Sequence, residues 1–156
     1  MIASSSQSAQ SLVCRVAARL CAIPLAHVVE VMRPLPVEPL PGAPSFVRGA
    51  AIIRGLPVPV VDLASLLTPS GQAPARFVTV KAGGDRIVAL AVDEILGVRT
   101  LPAAAAQEIP PLLQQASSEV VSAVGILDAQ LLLVLTTFRL LPESVWDALA
   151  ASEASR

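Results

Sequence analysis

Short runs rich in Val, Ile and Leu recur along the chain: Leu12–Val16, Leu20–Leu25, Val28–Met32, Phe46–Arg54, Val58–Val61, Phe77–Lys81, Arg86–Val92, Val120–Leu127 and Leu131–Leu135. Each has the length of a β-strand, and fourteen prolines and eight glycines punctuate them every few residues. That punctuation argues against a helical bundle and for a small all-β barrel or sandwich. Gly83-Gly84-Asp85 reads as a tight hairpin turn between two of the runs, and Arg54-Gly55 and Asp128-Ala129 as two further turns. Helix is predicted over Asp62–Leu67, Thr136–Leu141 and Pro142–Ala151, where Pro142 suits a first helical turn. Pro34–Pro44, with five prolines in eleven residues, predicts an extended connector without a ladder of its own, and Leu101–Ser118 is the other long connection.

An internal echo organises these runs. Arg54-Gly55 followed by Val58–Val61, Asp62 and Leu66-Leu67 has the layout of Asp128-Ala129 followed by Leu131–Leu135, Thr136 and Leu140-Leu141, at a constant offset of 74 residues. Asp62 and Thr136 can each accept a backbone N–H at a helix N-terminus. Two copies of one hairpin-plus-cap unit imply two similar β lobes packed together.

Composition narrows the class. The 156 residues suit one domain, or two very small subdomains sharing a core. Hydrophobic residues make up 54% and charged residues 15%, well short of the roughly 25% charged in an average soluble domain. Either some apolar side chains stay exposed as a binding surface, or alanine enrichment raises the hydropathy without building patches. Net charge is −1 and aromatics are 3%, so the chain lacks both the cationic excess and the stacking platforms of a nucleic-acid binder. No apolar run approaches the roughly 20 residues of a membrane span. Residues 1–11 lack the basic and apolar regions of a signal peptide and are expected to form a disordered leader. A cytoplasmic location with reduced cysteines is the expectation.

Catalytic constellations are sparse. His27 is the single histidine, no G-x-S-x-G, Walker or G-x-G-x-x-G motif occurs, and Asp93-Glu94 is an isolated acidic pair. Cys14, Cys21 and His27 share no metal-ligand spacing, so no metal and no cofactor is expected. A turn at Ala17-Ala18 would place Cys14 opposite Cys21 across a hairpin, either as two small apolar groups or as a disulfide. Arg54, set between Ala50–Ile53 and Gly55-Leu56-Pro57, can offer a multi-donor fork to another protein, or be a solvated turn residue.

Ala22-Ile23-Pro24-Leu25 through Val28–Val31, then Leu40-Pro41-Gly42-Ala43-Pro44 with Phe46–Gly49, then Ile53-Arg54-Gly55, Val58–Leu63 and Ala91–Ile95 run in the order of one family. Over Leu12 to Leu141 the chain resembles the CheW-type chemotaxis coupling proteins. The resemblance implies a mostly β fold: two SH3-like five-stranded barrel subdomains, intertwined over residues 12–141 and sharing a core. Short helices accompany them, including a C-terminal helix and tail over 142–156. It implies a non-enzymatic adaptor whose partners are the regulatory domain of a CheA-type histidine kinase and the cytoplasmic tip of a methyl-accepting chemoreceptor. Such an adaptor inserts in no membrane and binds no nucleic acid, but is recruited from the cytoplasm to receptor arrays. By resemblance, Val28, Glu30, Arg54, Phe77 and Val98 form a groove for the receptor's helical hairpin, and Val37, Leu56 and Pro57 meet the kinase. The chain departs from the family pattern at Ile52, where an asparagine is usual, and at Thr136, where aspartate is frequent. A module binding a small apolar ligand between its lobes is the other reading open from the sequence; an enzyme is the remotest.

Overall fold

The protein is described by a computed structural model that covers residues 8–16, 19–63, 75–102, 106–107, 121–127, 130–135 and 141–154. Eleven strands fall in two sheets among these residues: β1 (Ser8–Val16), β2 (Arg19–Pro24), β3 (Val28–Met32), β4 (Val47–Ile53), β5 (Leu56–Asp62), β6 (Arg76–Lys81), β7 (Ile87–Val92), β8 (Glu94–Pro102), β9 (Ala106–Gln107), β10 (Val121–Leu127) and β11 (Gln130–Leu135). A one-turn 3-10 helix at Leu25–His27 separates β2 from β3, and helix α1 spans Glu143–Ala154. The expected turns at Ala17-Ala18 and Asp128-Ala129, and the helices expected at 64–67 and 136–140, lie outside the described residues. Residues 8–11, expected in the leader, instead belong to β1, because Ser8 to Ser11 pair with Pro102 to Arg99 of β8.

One sheet runs β3-β6-β7-β5-β4 and the other β8-β1-β2-β11-β10-β9. Position by position they are the same object. β4 and β10 are offset by 74 residues at both ends, since 121 − 47 = 74 and 127 − 53 = 74. Their hairpins carry a register shift at the same point, between Val47 and Gly49 in one and between Val121 and Ala123 in the other. Each sheet holds one parallel pair, β5 with β7 and β11 with β2. The sheet of β3–β7 is closed by an exchange of hydrogen bonds between Glu38 and Ala50, at 2.9 and 2.8 Å. β9 does the same for β10, with Gln107 opposite Val124, the position 74 beyond Ala50. Chain order differs. The barrel of β3–β7 is one continuous segment, whereas the other sheet is composite, its strands β1 and β2 coming from the start of the chain and β8–β11 from the end.

This arrangement explains the apolar composition. Leu12, Cys14, Val16, Cys21 and Ile23 of the composite sheet pack against Val61, Val78, Val80, Val88, Leu90 and Val92 of the continuous barrel in a shared core. The alternate residues of those strands are buried too: Val13, Leu20 and Ala22 behind one sheet, and Val58, Val60, Phe77, Ala89 and Ala91 inside the barrel. A strand buried on both faces reads as an unbroken apolar run rather than an alternation. Each Val, Leu, Ile or Phe among them contributes roughly 1.5–3 kcal/mol when fully removed from water.

Cys14 and Cys21 face each other across β1 and β2, in the register that the sequence implied. Both are buried free thiols. Desolvation pushes the Cys14 thiol up to about 12 and raises Cys21 as well, so neither is a nucleophile near neutral pH.

Gly49 permits the closure of the barrel. Its φ is +144°, and a Cβ there would collide with the Glu38 backbone, 2.6 Å from its carbonyl carbon, where the proline connector crosses β4.

Candidate functional site

The β4–β5 hairpin turns on Arg54 and Gly55, with φ of 53° and 82°. Two consecutive left-handed residues make the type I′ turn whose twist suits a two-residue hairpin. Gly55 adopts that conformation freely; Arg54 does not, since its Cβ crowds the backbone there. Asparagine or glycine is the unstrained choice at that position, so an arginine held in it points to a use for the guanidinium.

That use is visible across the barrel's closing edge. Arg54 donates from Nε to Glu30 Oε1 at 2.8 Å and from Nη2 to Oε2 at 2.9 Å, a bidentate pair. Glu30 lies on β3, held by reciprocal hydrogen bonds with Thr79: its amide donates to Oγ1 at 3.1 Å, and that hydroxyl donates to the Glu30 carbonyl at 3.2 Å. The hydrogen bonds from Arg54 hold the Glu30 carboxyl below its usual value of 4.5 and raise the arginine in turn. The Arg54 side chain keeps 76% of its surface exposed and Glu30 28%, so the pair offers an oriented, solvent-facing guanidinium.

Exposed apolar side chains lie on the same elements as this pair. Val29, Val31, Leu35, Ile52, Leu56 and Val98 are the large hydrophobics left exposed among the described residues, and all but Val98 belong to β3, the connector after it, or the β4–β5 hairpin. Leu56 is the most exposed, at 56%. Beside them runs a groove of about 360 Å³, bordered by Val29, Glu30, Arg54, Leu56 and Pro57 on the barrel and by Trp146, Leu149 and Ala150 of α1.

The structure brings together some of the expected site residues and separates others. Glu30, Arg54, Leu56 and Pro57 border one groove. Val28 is half-buried, its side chain turned to the shared core. Val37 is half-buried beneath the same edge, against the barrel interior with Met32 and Ile87. Phe77 is a correction: at 1% exposure it fills the barrel interior, because the inward side of the central strand β6 demands a large apolar group, and no partner can touch it. Val98 is exposed but sits on β8 of the composite sheet, away from this groove. The sequence reading missed Arg86, Trp146 and Leu149. Their one signal is that Trp146 is the only tryptophan in a chain with 3% aromatics.

Among the described residues, side chains of both sheets meet in the region between them, and an apolar groove lies at the side of the continuous barrel. The described residues contain no cluster of three or more His, Cys, Asp or Glu placed to hold a metal, and no helix long and apolar enough to cross a membrane.

Comparison with known proteins fixes the family. Residues 10–145 match the CheW-like domain. The chain belongs to the CheW-like family. Family members are scaffolds of chemotaxis-like signalling. Among relatives of this CheW-like chain, Protein FrzA of Myxococcus xanthus is 35% identical over 100 residues, 62% of this chain and 61% of FrzA. Protein PilI of Pseudomonas aeruginosa is 32% identical over 101 residues, 63% of this chain and 57% of PilI. The matched region thus spans about three-fifths of the length of these relatives. The crystal structure of scaffolding protein TtCheW from Thermoanaerobacter tengcongensis superposes with a TM-score of 0.72 at 21% identity, over 81% of this chain and 88% of that one. At that identity the likeness establishes the fold, with its two SH3-like subdomains.

Proposed function

We propose that this CheW-like chain is a non-enzymatic, cytoplasmic adaptor that couples a CheA-type histidine kinase to the tips of methyl-accepting chemoreceptors in membrane-associated arrays. The observation that carries this reading is the closing edge of the continuous barrel, where Val29, Leu56 and Pro57 border a groove together with a bidentate, solvent-facing Arg54–Glu30 pair. Apolar contacts supply affinity to such a surface while a fixed ion pair sets the register of the partner. Glu30 and Arg54 form the receptor side of the proposal at the groove, with Val28 behind them toward the core and Val98 as a separate exposed contact on β8. Leu56 and Pro57, at the hairpin tip, form the kinase side, with Val37 supporting them from beneath.

Pull-down of the full chain with a chemoreceptor tip fragment and with a CheA regulatory domain tests the proposal. Retention by both supports it. Retention by neither, from a folded protein, would refute it. Within the complex, Val98→Glu should weaken receptor binding more than kinase binding; the reverse order would mean the two faces are exchanged.

A further inference from the structure

Among the described residues, helix α1 buries two side chains on the barrel and packs a third, the half-buried Trp146, against the shared core. Val145 and Leu149, one helical turn apart, are its buried anchors, at 2% and 4% exposure. Arg86, on the turn between β6 and β7, adds a latch. It donates from Nη1 and Nη2 to the two carboxylate oxygens of Glu143 at 2.8 and 2.9 Å, and its guanidinium lies 4.8 Å from the centre of the Trp146 ring. Open grooves flank the helix on several sides. The groove of about 360 Å³ lies between its Trp146–Ala150 stretch and the barrel edge, one of about 550 Å³ surrounds the latch, and one of about 150 Å³ separates Val145 and Ala148 from the proline connector. An element with few buried contacts and open space beside it undocks at lower free energy than the sheets unfold.

We propose that α1 is a releasable strap seated in a helix-binding trough, and that a partner helix of the same chemistry exchanges with it. The seated helix defines that chemistry: an acidic residue in the first turn to reach Arg86, an aromatic three positions on, and an apolar pair four apart facing the barrel. Arg86 contributes the complementary charge. Release of α1 joins the groove beside Leu56 and Pro57 to the seat of Val145 and Leu149, which lengthens the apolar surface available to a partner helix.

The test needs neither kinase nor receptor, so it fails or succeeds separately from the adaptor reading. Glu143→Gln in the full chain loosens the strap while leaving Arg86 available to a competitor. Hydrogen exchange of the α1 amides should quicken about three- to fivefold, as for loss of an exposed ion pair, with β7 amides unchanged. Acrylamide should quench Trp146, the sole tryptophan, more strongly. A fluorescein-labelled peptide of residues 141–156 should bind the Glu143→Gln protein about three- to fivefold more tightly than the wild-type protein. The same peptide carrying Glu143→Gln should bind more weakly than the unaltered one. Since Glu143 is a surface residue, the variant folds; raising wild-type protein to 1 M salt gives the same loosening without mutation. Equal protection of α1 and β7 amides in both proteins would overturn the proposal, as would peptide binding that is no tighter to the variant.

Discussion

Two apolar regions of this molecule are built from the same residue types and behave oppositely. In the seam between the sheets, Val61, Val78, Val88, Leu90 and Val92 meet Leu12, Cys14 and Ile23, and each is covered. Along the closing edge of the continuous barrel, Val29, Val31, Ile52 and Leu56 remain open to solvent. The difference lies in topology. A central strand has neighbours on both sides and a sheet against each face, whereas β3 and β4 are the terminal strands of their sheet, and it is the connector after β3 that bridges to β4 through the Glu38–Ala50 exchange. Hydropathy alone does not reveal which apolar residues are covered and which stay open to solvent; position in the sheet order does.

That contrast can be broken from either side. The largest effect is expected inside: Leu90→Ala opens a cavity in the seam and should cost about 2–5 kcal/mol in denaturant unfolding. Gly49→Ala should follow, at about 2 kcal/mol or more, since the methyl meets the Glu38 backbone at a φ that side chains rarely adopt. At the edge the pattern should invert. Leu56→Asp should change unfolding free energy by no more than about 0.5 kcal/mol yet weaken binding of the kinase fragment at least about tenfold by calorimetry. Arg54→Asn should leave Tm within about 2 °C of wild type or raise it, because asparagine suits the left-handed turn position, while receptor-tip binding falls. A loss of stability with unchanged binding would show that Arg54 serves the hairpin alone.

The smallest effect is one of pH. Glu30 and Glu143 are held below their usual 4.5 by hydrogen bonds from Arg54 and Arg86. The folded chain therefore binds fewer protons at these sites than the unfolded chain does. Both ion pairs contribute fully above the usual value, and the contribution fades as pH falls through the depressed one. Trp146 fluorescence should report loosening of α1 in that acid window, ahead of the loss of sheet signal by circular dichroism.

Much of this architecture was legible in the sequence, for a definite reason. Strands buried on both faces write unbroken apolar runs, so β2 and β5–β7 stand out, β10 and β11 carry runs of the same kind in the sequence, and the 74-residue echo between two hairpins survives in the strand positions. β8 did not stand out. Gly97, at φ +121° beside the register shift opposite Val13 and Cys14, interrupts its run, and its outer residues Val98, Arg99 and Thr100 are exposed. β9 has two residues, too few to carry any pattern. Of the site, Arg54 and Leu56 could be read because a cation and an apolar residue at a turn are conspicuous locally. The Arg86–Glu143–Trp146 latch could not, because its members are about sixty residues apart and only the fold brings them together. Phe77 was misplaced for a related reason: family pattern marks a position, but only the pleat decides whether it points inward.

The permuted order of the composite sheet has a consequence for biosynthesis. As the chain leaves the ribosome, residues 28–92 hold every strand of the continuous barrel and can close it at once. The hairpin β1–β2, though made first, must wait for β8 and β11 on its two sides, with its backbone edges open to chaperones or to wrong pairing in the interval. Nascent chains halted after the barrel has emerged should therefore resist protease within residues 28–63 and 75–92 while the β1 and β2 segments remain cleavable.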